Sequence, residues 1–194
     1  GDLLINPSIQ TAEIHDMIRG LPGVTAVVRD DLFYAAIGDY SSVEDATAAS
    51  AEKKGARVVV SGRDVAELER FAPTIGALAI PCDITVKADI EKLAAHAKQR
   101  FGRIDIALNC TGWAKGGPFR DFPEADLRQM MEIQFLGPFQ FMQVMLGVLG
   151  QGGSLIQVSS ATATVMTYDY AAYMGTKAGI DHVVRAVANE FGPK

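Results

Sequence analysis

Cysteine and histidine are scarce in this chain, and so is positive charge. Its 194 residues include two cysteines, Cys82 and Cys110, each at or near the end of an apolar, strand-like run. Buried free thiols in a reducing compartment are the reading this supports, and a cytoplasmic location follows. The three histidines, His15, His96 and His182, are isolated. None stands at ligand spacing from another histidine or from a cysteine, so no metal site is expected. No basic run occurs, and the net charge is −5 with a pI near 5.2. That balance argues against nucleic acid or an anionic membrane surface as the main partner. The longest apolar stretch, residues 141–149, contains Gln143 and is too short to span a bilayer. The first residues show no basic region followed by a hydrophobic segment, so no secretory signal is expected. G-x-S-x-G and Walker-type G-K-[ST] sequences are missing too, which argues against a serine hydrolase or a P-loop enzyme.

What is present is ordinary in composition and regular in pattern. Apolar residues make up 48% and charged residues 21%, as in a soluble globular protein with one sizeable core. From about residue 32, short apolar runs alternate with longer amphipathic ones. Strands are expected at 32–37, 57–61, 77–81, 104–109 and 154–159, and helices at 43–54, 64–72, 87–101, 125–149 and 170–190. Val58-Val59-Val60 and the run from Ile104 to Leu108 are nearly all apolar, as strands covered on both faces should be. Alternation of this kind predicts an α/β fold, a Rossmann-type doubly wound parallel sheet in three α/β/α layers. Residues 1–28 fit it poorly. They read as an appended arm or edge element, with a short capped helix at 11–19 and a strand candidate at 23–29; residues 29–194 form the Rossmann-like domain.

The chemistry concentrates in "SLIQVSSATATVMTYDYAAYMGTK", residues 154–177. Tyr173 and Lys177 are four apart on an expected helix and so share a face. A phenol with a pKa of about 10 is a poor acid or base at neutral pH. A nearby ammonium favours the phenolate and makes the tyrosine usable for proton transfer. Tyr168 and Tyr170 have Ala172 and Met174 four residues on, so of the three tyrosines only Tyr173 has a lysine there. Ser160, at the end of the preceding strand, is placed to hydrogen-bond a substrate oxygen.

With these residues the chain resembles the short-chain dehydrogenase/reductase family from about residue 32 to its end. "GARVVVSGRD" (55–64) looks like the second strand and its cofactor-selecting turn, and "CDIT" (82–85), with Asp83, like the adenine-side turn after the third. "NCTG" (109–112) resembles the N-N-A-G after the fourth strand, with Thr111 replacing alanine. The resemblance implies hydride transfer between a nicotinamide and a carbonyl or secondary alcohol. Tyr173 would be the acid/base, Lys177 would lower its pKa and bind the ribose, and Ser160 would hold the substrate oxygen. Asn109 and Gly112 would contact the cofactor. Gly62 stands where NAD-preferring relatives carry an acid, and Arg63 follows it; Arg63 suits a 2′-phosphate or else lies solvated at the sheet end. The cofactor choice this favours is NADP over NAD. The helical segment 125–149 contributes to subunit interfaces in the family, so a homodimer or homotetramer is expected, while Met130, Met131, Met142 and Met145 within it read as packing. Trp113 reads as a pocket wall or as surface packing.

Three departures qualify the resemblance. Counting back from Gly55, the family's T-G-x-x-x-G-x-G falls on residues 37–44, "IGDYSSVE": Gly38 keeps the first glycine, and Ser42 and Glu44 replace the others. A carboxylate beside a diphosphate costs Coulomb energy where a helix N-terminus should favour the anion. Ser41 with Glu44, and Ser42 with Asp45, make overlapping capping boxes, so this helix can satisfy its own free N–H groups. Gln134 stands where the family has an asparagine that orders a proton-relay water; the same amide on a longer stem can keep a relay with shifted geometry. Finally, Lys194 lies seventeen residues past Lys177, whereas family members usually continue through a substrate-covering segment, so an incomplete C-terminal portion is expected. The second functional reading is therefore a catalytically weak or cofactor-free subunit, the partner of an active paralogue.

Overall fold

The computed structural model describes residues 26–28 and 56–192. Among these described residues five strands form one sheet: β1 (Ala26–Val28), β2 (Val59–Gly62), β3 (Leu78–Pro81), β4 (Ile106–Asn109) and β5 (Ser154–Gln157). All pairings are parallel, in the order β3-β2-β1-β4-β5. The order reverses at β1, which makes the β1/β4 boundary the switch point beyond whose carboxyl ends ligands bind in such sheets.

Burial along the strands explains why these segments read as apolar runs. Val59 and Ala107 join one core cluster with Ile90, Leu93, Ile133, Phe141 and Met145. Their strand neighbours Val58, Val60, Ile106 and Leu108 point to the other face and pack with Leu68, Phe71 and Ile75. Successive residues bury on opposite faces because a strand alternates its side chains, and helices cover both faces. The second face carries α1 (Val65–Phe71) and a 3₁₀ turn (Ala72–Ile75). The first carries α2 (Lys87–Phe101) and the segment α3 (Glu124–Met131), a π turn (Glu132–Leu136) and α4 (Gly137–Leu146). Last comes α5 (Ala171–Phe191), packed against α3, the π turn and α4. The doubly wound α/β fold expected from the sequence is the fold observed.

Local chemistry sets the ends of these elements. Asp64 caps α1 by accepting the Glu67 N–H at 2.9 Å. Gly102, at φ 83°, closes α2 in the left-handed conformation that glycine adopts without strain. The helical run expected over 125–149 is interrupted by the π turn, where Gly137 N–H reaches back to Glu132 O. Pro138 follows, and a proline brings no N–H to an α-helical ladder. At Gly137 the backbone approaches the loop after β3 so closely that a β-carbon would lie 2.7 Å from Ile84 O.

The sequence gives 23–29 an appended or edge position; Ala26–Val28 instead lies in the middle of the sheet, between β2 and β4. A three-residue strand carries too little periodicity to declare its neighbours, and only pairing fixes its place. The strand candidate 32–37, the helix candidate 43–54 and the loop with Gly38, Ser42 and Glu44 lie outside the described residues.

Candidate functional site

The site forms at the carboxyl ends of β4 and β5, closed from the side by α5 and the π turn. Asn109 ends β4 and is fully buried. Its Nδ2 donates to Gln157 Oε1 at 2.8 Å, across the β4–β5 pair in which the two residues are in register. Its Oδ1 accepts from Thr111 N at 3.0 Å and from Thr111 Oγ1 at 2.8 Å. The amide of Asn109 thus ties the loop after β4 to the strand ends, and the hydroxyl of Thr111 completes that tie.

Gly112 follows and keeps the floor of the site open. A β-carbon at this position would lie 3.5 Å from Gln134 Oε1 and 3.8 Å from Lys177 Nζ, so a side chain here would stand over both polar groups. Gln134 sits in the π turn, fully buried. Its Nε2 donates to Thr176 Oγ1 at 3.3 Å, and that hydroxyl donates to Tyr173 O at 2.8 Å. Its Oε1 has no hydrogen-bond partner among the described residues. A buried acceptor left so is costly unless a ligand or water meets it.

Tyr173 and Lys177 lie on one face of α5, 6% and 4% exposed, with Lys177 Nζ 5.8 Å from the centre of the Tyr173 ring. Burial pulls the Lys177 pKa down to about 8, against the raising influence of Cys110 and Asp181. Its ammonium donates to Val158 O at 3.4 Å, just past the end of β5. Burial also pushes the Tyr173 phenol above its ordinary value, and a hydrogen bond with Ser160 opposes that shift. The sequence expects Lys177 to lower the phenol's pKa; in this geometry burial is the larger influence and the Ser160 hydrogen bond is the one that opposes it. Ser160 lies three residues beyond β5, where it caps a 3₁₀ turn (Ala161–Ala163), accepting from Thr162 N at 3.2 Å and sharing a hydrogen bond with Thr162 Oγ1 at 2.8 Å.

Asn109, Gly112, Gln134, Ser160, Tyr173 and Lys177 therefore gather in one region. Arg63 and Asp83 stand apart, after β2 and β3 respectively. Arg63 is exposed. The Asp83 carboxylate is turned to its own loop, accepting from Thr85 N at 2.9 Å and Thr85 Oγ1 at 2.7 Å. Trp113 packs against the core of the first sheet face. Met130, Met142 and Met145 are buried in packing roles. Thr111, Gln157, Thr176 and Cys110 were not singled out by sequence for this site. Thr111 carried a signal as a hydroxyl in place of alanine; the others become visible only once strand order and helix packing are known.

Comparisons with known proteins agree with this fold. A family model described as enoyl-(acyl carrier protein) reductase matches residues 38–194. An uncharacterised oxidoreductase of Methylorubrum extorquens is 30% identical over 164 residues, covering 81% of this chain and 66% of that protein. A putative dehydrogenase from Burkholderia cenocepacia with bound NADP superposes with a TM-score of 0.76 at 28% identity, over 88% of this chain and 65% of the other. A short-chain dehydrogenase/reductase from Brucella melitensis, named as a glucose/ribitol dehydrogenase, gives a TM-score of 0.77 at 26% identity, over 89% of this chain and 74% of the other. The chain spans about two thirds of the length of the first two relatives. By the family model, these similarities and the shared architecture, the chain belongs to the short-chain dehydrogenase/reductase family, a family of oxidoreductases.

Proposed function

We propose that the chain serves an NADP-dependent oxidoreductase that interconverts a carbonyl and a secondary alcohol. The observation that carries this reading is the convergence of buried Tyr173 and Lys177 with Ser160 beside a glycine-opened floor at the ends of β4 and β5. The unpartnered Gln134 Oε1, the space over Gly112 and the Lys177 ammonium fit a ligand rich in hydroxyl groups, as a nicotinamide nucleotide is. Asn109, Gly112 and Lys177 would hold its nicotinamide half; Gly38 and Ser42 would face its diphosphate, Asp83 its adenine and Arg63 a 2′-phosphate. When bound, that group supplies or takes up the hydride.

The residues of this chain supply the rest. Ser160 donates a hydrogen bond to the substrate oxygen and fixes its position. Tyr173 gives its phenolic proton to that oxygen during reduction and takes one back during oxidation. A developing phenolate is unstable in a buried place, and the Lys177 ammonium on the same helix face offsets that. Gln134, through Thr176, holds the first turns of α5, and its free Oε1 can accept from a water that passes protons to Lys177.

Self-association as a homodimer or homotetramer belongs to the same proposal. Leu127, Leu136 and Phe139 are exposed along the α3–α4 segment, apolar surface that a second subunit would cover. Titration with NADPH and NADH tests the reading. Micromolar NADPH should quench the emission of the single tryptophan, Trp113, with NADH binding more weakly. No binding of either nucleotide at millimolar concentration would overturn it and favour the cofactor-free subunit, for which Ser42 and Glu44 in the glycine-loop positions speak.

A further inference from the structure

The loop after β4 and the turn before α5 are locked together immediately beside Tyr173. Gly117 N–H donates to Asp169 O at 2.7 Å. Asp169 holds a φ of 62°, a left-handed conformation uncommon for residues with a β-carbon and most often met at aspartate and asparagine in tight bends. One residue on, the Tyr170 ring lies over Gly116 so closely that a β-carbon there would come within 3.1 Å of Tyr170 Cζ. The same ring meets Tyr173 edge to face, with centroids 6.3 Å apart and planes at 81°, a favoured aromatic arrangement. Below this contact Tyr170 O accepts the Met174 N–H at 2.9 Å, the first turn of α5, and Thr167 N–H points to Met174 Sδ at 3.4 Å. Glycine at 116, the bend at Asp169 and the ring of Tyr170 thus form one clamp, and the ring is its contact with Tyr173.

We propose that Tyr170 is a positioning residue for Tyr173, held by Gly116 and the Asp169 bend, and that it acts through its ring and not its hydroxyl. Tyr170 is 38% exposed and Tyr168, on the other side of the bend, is 93% exposed. The ring of Tyr170 therefore stands between solvent and the buried Tyr173. It fixes the direction of the phenol and limits water around it. The inference rests on the reading of Tyr173 as the acid/base, but its test does not need turnover.

The full chain, labelled with ¹³C at the tyrosine ζ carbon, is titrated with alkali by NMR, and the Tyr173 resonance is identified by its loss in Tyr173→Phe. The groups that act on Tyr173 are the Ser160 hydroxyl and the Lys177 ammonium, with Cys110 and Asp181 acting on Lys177; all stay unchanged in the variants. Burial is what holds the Tyr173 phenol above its ordinary value, so uncovering it shifts its titration midpoint downward. Tyr170→Ala should give that downward shift, and Tyr170→Phe should titrate as the unaltered chain does. Gly116→Ala, with Tyr170 intact, should shift the midpoint in the same direction by displacing the ring, and it decides the matter if Tyr170→Ala does not fold. A midpoint unchanged in Tyr170→Ala and Gly116→Ala overturns the proposal. A shift equally large in Tyr170→Phe overturns it as well, because the hydroxyl would then be the active part. Failure of nucleotide binding would leave this result intact, so the two readings fail separately.

Discussion

Lys177 enters the fold as a charge taken out of water, and its titration records that burden. In the unfolded chain it keeps its proton to about the ordinary lysine value of 10.5, whereas in the folded chain it gives it up near 8. Between those values the unfolded state binds more protons, so folding gains stability as pH rises through that window. Below pH 8 the burial penalty is fully present. Lys177→Met, which removes the charge and keeps the stem, should therefore be more stable than the unaltered chain at pH 7. That advantage should shrink by on the order of 2 kcal/mol by pH 10. Urea unfolding of both proteins at the two pH values measures it, and a constant difference would mean that Lys177 keeps its proton as a solvated lysine does. Tyr173 asks a different question, since its burial raises the phenol and makes it a weaker acid at rest. In Tyr173→Phe, turnover should fall by roughly 10²–10⁴-fold, the usual share of a positioned acid or base, while the dissociation constant for NADPH stays unchanged. A variant that keeps its turnover would move the proton transfer to another group.

At the scale of elements, the meeting of α4 with the loop after β3 is the tightest backbone approach that bears on the site. Gly137→Ala puts a β-carbon against the Ile84 carbonyl and side chain, and neither a backbone oxygen nor a buried residue yields easily. It should lower stability by about 1–3 kcal/mol, read as a fall in the thermal midpoint. The same step disturbs the π turn and with it Gln134, so nucleotide affinity should fall too. Much of this architecture was legible beforehand. Strands β2 and β4 read as apolar runs because both faces of each are covered, the edge strands β3 and β5 are only half-buried, and α2 matches its expected span, 87–101. The π turn was not legible. It leaves the apolar period of 125–149 undisturbed, and only the contacts of Gln134 and Gly137 with other parts of the chain mark its place. The pairing of Tyr173 with Lys177, proposed here as catalytic, could be read from spacing because both belong to one helix. The ties of Asn109 to Gln157 and of Gln134 to Thr176 join residues 48 and 42 positions apart, which no local pattern announces.

For the whole molecule, the balance between a nucleotide-binding enzyme and a self-capped, cofactor-free subunit turns on two residues of the opening loop. If Glu44 repels the diphosphate, replacing Ser42 and Glu44 together with glycine should strengthen NADPH binding by about tenfold at low salt, and by less at high salt. Calorimetric titration at two ionic strengths reads both effects. An unchanged affinity would mean that loop shape, and not charge, sets binding. The sheet itself has a consequence for how the molecule is made. The pairs β2–β3 and β4–β5 each join strands linked by a single helical crossover or by the α3–α4 segment, so each half can assemble from its own stretch of chain. The halves are united through Ala26–Val28, which must find β4 from about 80 residues away. Capture of that strand is a long loop closure rewarded by only three residues, so it should set the slow step of folding. Until it is complete, the inner edges of β2 and β4 stay open to other chains, so concentration during refolding should decide between a native sheet and an aggregate.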